Sequence, residues 1–149
     1  MCIRDRFHVA YYDRSYYQDN ESLVWLDVDD VSSYGPETIT IMNLDEIEEF
    51  TYCIHNYSKR YSGEEDSGAF SLSDSYAKID VYIGDSQVAS YDVPTNRKGT
   101  VWNVFKMNSN GYITRINTFE YESSPELVGN YQNNMATQSF VDTRKEYEK

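Results

Sequence analysis

Apolar residues recur at every second position in several short stretches of the chain, which is the pattern of a β-strand with one buried face. The clearest stretch is 77–83, where charged residues and a tyrosine separate the apolar ones. Its apolar positions are Ala77, Ile79, Val81 and Ile83. The stretch 50–55 alternates in the same way, with Phe50, Tyr52 and Ile54 on one face. Both stretches predict half-buried strands of a sheet.

Turn-forming residues separate the strand-like stretches and indicate antiparallel pairing. Residues 84–86 read Gly-Asp-Ser and predict a hairpin, and Asn110 followed by Gly111 predicts a second tight turn. In chain order, the predicted strands span residues 7–12, 22–26, 38–42, 50–55, 77–83, 87–93, 100–107 and 112–119. The sequence therefore predicts an all-β fold, namely an antiparallel β-sandwich of about seven or eight strands.

The rest of the chain lacks a regular period. Residues 57–75 are rich in serine, glycine and charged residues, so we predict a long, mobile surface loop there. Beyond residue 119 the strand pattern breaks, and only 138–148 has weak helical character. The predicted organisation is one β-sandwich domain at 7–119, followed by a linker or an irregular, partly helical tail at 120–149.

The centre of the core is expected to consist of large apolar residues on the predicted inner faces of the strands. They are Ile39, Ile41, Ile54, Ile79, Val81, Ile83, Trp102 and Val104. This set depends on the strand register, because a shift by one residue turns every side chain of a strand to the opposite face.

Residues 1–6 read Met-Cys-Ile-Arg-Asp-Arg and look like the translation of a transposon end sequence that is ligated to DNA in sequencing libraries. Added segments of this kind do not report on the fold. We therefore expect residues 1–6 to have no structural role, the natural chain to enter at Phe7, and the domain to be incomplete at its N-terminus. Because Cys2 belongs to this segment, Cys53 is expected to be the one natural cysteine, and no internal disulfide is expected.

The chain is strongly acidic, with 25 aspartate and glutamate residues against 13 lysine and arginine residues and a net charge of −12. Nucleic acid and anionic membranes repel a surface of this charge, so neither is expected as a partner. No apolar run approaches the ~20 residues that a transmembrane helix needs, so we expect no membrane insertion. The 15 tyrosines are expected mainly on half-buried sheet surfaces, although exposed tyrosines can also stack on sugars.

The segment 26–38 holds a concentrated acidic cluster between two predicted strands. Its four carboxylates are Asp27, Asp29, Asp30 and Glu37. Carboxylate oxygens around a turn are ligands that Ca²⁺ prefers, so the sequence suggests these four residues as a calcium site. The spacing is not that of an EF-hand. The alternative is that Asp27 or Asp30 accepts backbone N–H groups and fixes the turn without metal.

The same segment carries a resemblance to a known family. Residues 26–30 read Leu-Asp-Val-Asp-Asp and 34–37 read Tyr-Gly-Pro-Glu, which resembles the signature of YfaP-like domains, a group of bacterial extracytoplasmic modules. Residues 7–9 are similar to the end of the Asp-Leu-Asp-Leu-His-Val strand that precedes the signature, and 101–105 matches a later feature. The resemblance covers 7–119, but the upstream aspartates are missing, which weakens a metal site built from both segments.

The resemblance implies a β-sandwich module of a large secreted or cell-surface protein, without an established catalytic role. Relatives of this kind lie beside adhesin-like and repeat regions. The partner that the resemblance implies is a protein or a glycan at the cell surface.

The sequence carries no enzyme motif, since it lacks a nucleophile elbow and a glycine-rich phosphate loop, and we expect no enzymatic activity. One predicted function is a non-catalytic surface module, either a spacer or an adhesin-like binding domain, with a calcium-stabilised acidic loop. The alternative is a carbohydrate-binding accessory domain of a secreted glycoside-active enzyme. A sugar binder should present two or three coplanar aromatic rings on an exposed face or along a groove, whereas a spacer should bury Trp25 and Trp102.

Overall fold

The computed structural model describes residues 2–4, 7–28 and 37–128 and a short strand at 145–147. These residues form eleven strands and five short 3-10 helices, and they contain no α-helix. The strands are β1 (Cys2–Arg4), β2 (His8–Val9), β3 (Ser15–Gln18), β4 (Glu21–Val28), β5 (Thr38–Ile41), β6 (Glu49–His55), β7 (Lys78–Ile83), β8 (Ser86–Asp92), β9 (Val101–Asn108), β10 (Ile113–Glu120) and β11 (Lys145–Tyr147). Every strand pairing is antiparallel, so the predicted all-β antiparallel class is confirmed.

The largest sheet has six strands in the order β11-β10-β9-β6-β1-β2. The hairpin between β9 and β10 turns at the predicted position. There Gly111 has a φ of +83°, and its N–H donates to the carbonyl of Asn108 at 3.0 Å. A positive φ is available to glycine without strain, which explains why the turn falls on the Asn-Gly pair.

A second sheet has three strands in the order β3-β4-β5. Residues 13–21 carry β3 and a tight turn, and this strand is not among those predicted from the sequence. Asp19 and Asn20 both have positive φ, at 52° and 66°, as the central residues of a type I′ turn require. On β4, the side chains of Val24 and Leu26 are buried, and Asp27 on the opposite face is exposed.

Strands β7 and β8 form a two-stranded ribbon, which confirms the hairpin predicted from residues 84–86. Gly84 at its tip has a φ of +61°. The inner face of the ribbon contributes Ile79 and Tyr91 to the core, and the ring of Tyr91 stacks on Phe105 of the large sheet at 5.5 Å. The end of the ribbon that is distant from Gly84 is therefore packed into the core.

All three sheets contribute to one hydrophobic cluster. Trp102, Val104 and Ile79 lie within it at 7% exposure or less, as predicted. Four other expected core residues, Ile39, Ile41, Ile54 and Val81, are half-buried and pack against its margin. Ile83 is a wrong prediction, because it is 40% exposed at the last position of β7, beside the turn. The finer prediction, that the sheets form a sandwich, stays a prediction.

The segment 57–75 is more ordered than the predicted surface loop, because it contains three short 3-10 helices. They are Tyr57–Lys59, Ser67–Phe70 and Ser73–Ser75. Ala69 and Leu72 are buried, and the hydroxyl of Ser73 donates to the carbonyl of Pro94 at 2.5 Å. The part around residues 69–73 therefore belongs to the packed domain, and the mobility of the rest stays a prediction.

The expectation that residues 1–6 have no structural role is wrong for Cys2–Arg4. This segment is strand β1, which lies between β6 and β2, and Ile3 is only 1% exposed. Cys2 pairs directly with Cys53 in the register, and their sulfur atoms are 2.9 Å apart. Both cysteines are free thiols in this structure. The origin of residues 1–6 in a ligated adapter stays a prediction.

The segment after residue 119 is partly integrated into the domain. Strand β10 runs to Glu120, a 3-10 helix follows at Pro125–Leu127, and Val128 is buried against Cys2 and Cys53. Residues 138–144, where weak helical character was expected, lie outside the described residues, and Lys145–Tyr147 is a strand on β10. No helix in the described part of the chain is long and apolar enough to cross a lipid bilayer.

Candidate functional site

The outer face of the sheet β3-β4-β5 carries an open groove with a cavity volume of about 760 Å³. Side chains alternate along these strands, so the face opposite the core displays Tyr17 from β3 and Trp25 and Asp27 from β4. Arg14 and Met42 complete the rim. The groove therefore combines aromatic rings with charged groups of both signs.

Trp25 is held in place by a polar network on this face. Its indole N–H donates to Oδ1 of Asp27, and the hydroxyl of Thr40 donates to Oδ2 of the same carboxylate. Because both oxygens of Asp27 have partners, the carboxylate links β4 to β5. The indole ring is therefore fixed by its edge, and its half-exposed face borders the groove.

Asp27 lies at an irregularity in the pairing of β4 with β5. Leu26 pairs with Ile39 and Val28 pairs with Thr38, so Asp27 is an extra residue on β4 without a residue opposite it. A β-bulge of this kind redirects a side chain and often lies beside a functional site. Here the carboxylate lies on the Trp25 side of the sheet, as alternation along β4 requires.

Other groups in the groove are more exposed. Tyr17 is 63% exposed and Met42 is 67% exposed, and Nη2 of Arg14 donates to the carbonyl of Leu26 at 3.5 Å. An aromatic face surrounded by hydrogen-bonding groups can pack on the apolar C–H face of a sugar while the polar groups bond to its hydroxyls.

The structure describes only two of the four predicted calcium ligands. Asp29 and Asp30 lie outside the described residues. Glu37 is half-buried, and its negative charge adds to burial in raising the pKa of Tyr52 well above the usual value. Glu37 thus acts on the large sheet, whereas Asp27 serves Trp25 and Thr40. The described residues contain no group of three or more histidine, cysteine or carboxylate side chains that could hold a metal ion, so calcium binding stays a prediction.

The sequence left open the alternative that Asp27 or Asp30 fixes the turn by accepting backbone N–H groups. The carboxylate of Asp27 fixes local structure through hydrogen bonds, but its donors are the Trp25 indole and the Thr40 hydroxyl rather than backbone N–H groups. Thr40 lies on the neighbouring strand and cannot be identified from spacing along β4, whereas Trp25 lies two residues before Asp27 on the same face.

The two tryptophans have different environments. Trp102 is 1% exposed, and its indole N–H donates to Oδ1 of Asn117 at 2.9 Å. Trp25 is half-exposed in the groove. Trp102 is therefore buried, as expected for a spacer. Trp25 and Tyr17 both line the groove, and the coplanar arrangement of rings expected for a sugar binder stays a prediction.

Titratable groups with shifted pKa values lie apart from the groove. Burial raises the pKa of Glu120, against the effect of a 2.8 Å hydrogen bond from the amide of Asn103, with a smaller upward contribution from Glu122. Burial lowers the pKa of His55, which contacts the carbonyl of Glu122 at 2.8 Å. Each of these groups has a structural partner on the large sheet, and neither lines the groove.

A scan of the sequence against models of protein families found no match, and searches of curated proteins and of solved structures found no similar chain. The resemblance to YfaP-like domains therefore rests on the residues quoted for it and stays a prediction.

Proposed function

We propose that this chain is a non-catalytic surface module of the adhesin type, and that the groove around Trp25 binds a glycan. The observation that carries the proposal is the part-exposed Trp25 ring, whose N–H is occupied by Asp27. A binding module needs a rigid aromatic group of this kind, with its polar edge occupied and part of its ring open to a ligand. The cell-surface location rests on the family resemblance.

The proposed ligand is an uncharged oligosaccharide. Glu21 and Asp27 line the groove together with Arg14, so acidic groups outnumber basic ones at this face and disfavour an anionic sugar. A pyranose that covers a quarter of the ~200 Å² that a tryptophan can bury removes about 50 Å² from water. At ~25 cal/mol per Å² this contributes about 1.3 kcal/mol, or roughly a ninefold change in Kd.

The experiment is an affinity measurement on the whole chain with neutral oligosaccharides, for example the trimers of N-acetylglucosamine, glucose and mannose. Calorimetric titration is expected to show binding to at least one of them, and Trp25→Ala is expected to weaken it by about tenfold. Tyr82→Ala is the matched control, because Tyr82 is 58% exposed on β7 and does not line the groove. No binding to any neutral oligosaccharide, or equal losses in both variants, would contradict the proposal.

A spacer function is the second candidate, and the buried Trp102 favours it. The two candidates differ in the effect of Trp25→Ala. For a spacer, this substitution alters only the stability of the sheet β3-β4-β5 and changes no binding.

A further inference from the structure

Two segments that are distant in the chain meet in a second aromatic surface, here called the tyrosine–arginine patch. It consists of Tyr11, Tyr12, Tyr57, Arg60 and Tyr61. The rings of Tyr11 and Tyr12 meet edge to face with centroids 5.4 Å apart, and the ring of Tyr57 meets Tyr11 at the same distance. Tyr12 is the least exposed ring, at 42%, and Tyr61 the most exposed, at 76%. Solvent therefore reaches every ring of the patch.

Arg60 is fixed between two of these rings. Its guanidinium carbon lies 3.8 Å from the ring centre of Tyr57 and 4.6 Å from that of Tyr61, and Nη1 donates to the carbonyl of Tyr57 at 2.8 Å. Cation–π contacts of this kind set the plane of the guanidinium. In the described part of the chain, Nε and Nη2 have no hydrogen-bond partner. These two nitrogens form one edge of the guanidinium, so a two-pronged donor is oriented and unoccupied.

Acidic residues near the patch raise the pKa values of tyrosines in it and beside it. Glu126 adds to burial in raising the pKa of Tyr12, and its carboxylate accepts the hydroxyl of Ser124 at 2.6 Å. Residues 64–66, which are all acidic, act together with burial to raise the pKa of Tyr121. The positive group of the patch is the Arg60 guanidinium, which the rings of Tyr57 and Tyr61 hold in place.

We propose that the Arg60–Tyr61 end of the patch is a second binding site, which takes a hexuronic acid residue of an acidic glycan. The sugar carboxylate accepts two parallel hydrogen bonds from Nε and Nη2 of Arg60, and the apolar face of the sugar ring packs on Tyr61. An arginine fork matches the two oxygens of a carboxylate, which a lysine does not. This site does not depend on the groove at Trp25, because the two sites are built from different residues and take ligands of different charge.

The net charge of the chain does not prevent this binding. Charges on the surface are screened beyond ~8 Å at physiological salt, so the groups nearest to the ligand dominate. The nearest charged group is the fixed guanidinium. A guanidinium that Tyr57 and Tyr61 already hold in place also loses little conformational entropy when the ligand binds.

The test is a calorimetric titration of the whole chain with trigalacturonate, the trimer of galacturonic acid. Arg60→Gln removes the charge and is expected to weaken binding by about tenfold or more, and Arg60→Lys keeps the charge but loses the fork and is expected to weaken it by a similar factor. Lys59→Gln is the matched control, because Lys59 is an exposed neighbour outside the patch and its loss changes the net charge equally. This control is expected to weaken binding less than about threefold.

Several results would overturn the inference. They are the absence of measurable binding at millimolar trigalacturonate, equal losses in Arg60→Gln and Lys59→Gln, and equal affinity for neutral maltotriose. Equal affinity for a triglutamate peptide would also overturn it, since the site would then read a carboxylate alone and not a sugar. Trp25→Ala is expected to leave trigalacturonate binding unchanged, so failure of the groove proposal and failure of this one are separate results.

Discussion

The strand β7 offers a matched pair of substitutions that tests the register of the whole ribbon. Ile79 is 7% exposed in the core and Ile83 is 40% exposed beside the turn, although both belong to the same apolar face of the sequence pattern. Ile79→Ala removes three carbon atoms from the core. At about 0.8 kcal/mol per buried methylene the transfer loss is about 2.4 kcal/mol, and the cavity left behind brings the cost to about 2–5 kcal/mol.

Ile83→Ala is expected to cost less than about 1 kcal/mol, because much of its side chain already contacts water. The assay is urea unfolding of both variants, monitored by fluorescence of the buried Trp102, with the free energy of unfolding extrapolated to water. Equal costs in the two variants would refute the placement of the ribbon. A silent Ile79→Ala together with a costly Ile83→Ala would show that β7 enters the core by its other end.

Three further predictions concern the large sheet, the N-terminal strand and the acidic segment. Burial raises the pKa of Glu120 in the folded chain. The contribution of Glu120 to stability is therefore complete below its unfolded pKa and is lost as pH rises through its folded pKa. Unfolding measured across this pH range is expected to show Glu120→Gln more stable than the wild type at neutral pH and equally stable in acid. Deletion of residues 1–6 is expected to lower Tm by roughly 5 °C, because it removes the buried Ile3 and uncovers β6. An unchanged Tm would show that β1 does not pair with β6. Asp27 already accepts two hydrogen bonds. Replacing EDTA with about 10 mM CaCl₂ is therefore expected to leave Tm unchanged, and Asp27→Asn is expected to lower Tm in both buffers. A calcium-dependent rise in Tm that Asp27→Asn abolishes would instead establish the cation site.

Local patterning predicted the strands whose faces differ clearly in polarity. The stretches 77–83 and 50–55 were correctly predicted as strands, β7 and β6. The half-buried character predicted for 50–55 is wrong, because Thr51 and Cys53 on its second face are also fully buried. Strand β3 was missed because its sequence, Ser-Tyr-Tyr-Gln, carries no alternation, and its pairing depends on β4 and on the turn at Asp19. The exposure of Ile83 was also beyond a periodicity argument, because the pattern does not show where the core ends along a strand.

The candidate sites depend on neighbours that no single stretch of sequence contains. The acidic segment drew attention to Asp27, but the link that its carboxylate makes to the next strand depends on the hydroxyl of Thr40. Arg60 is surrounded by Tyr57 and Tyr61 within its own segment, yet the patch is completed by Tyr11, which arrives from the turn before β3. Contacts between segments of this kind follow from the topology of the sheets and not from spacing along the chain.

The most direct test of the proposed function uses the two indole N–H groups of the chain as reporters in an NMR titration. Trp25 borders the groove and Trp102 is 1% exposed and bonded to Asn117. When a neutral oligosaccharide such as tri-N-acetylglucosamine is added to the labelled chain, the signal of the Trp25 indole N–H is expected to shift with saturation, while that of Trp102 stays in place. If neither signal moves with any neutral oligosaccharide, or if Trp102 shifts and Trp25 does not, the groove is not a glycan-binding site.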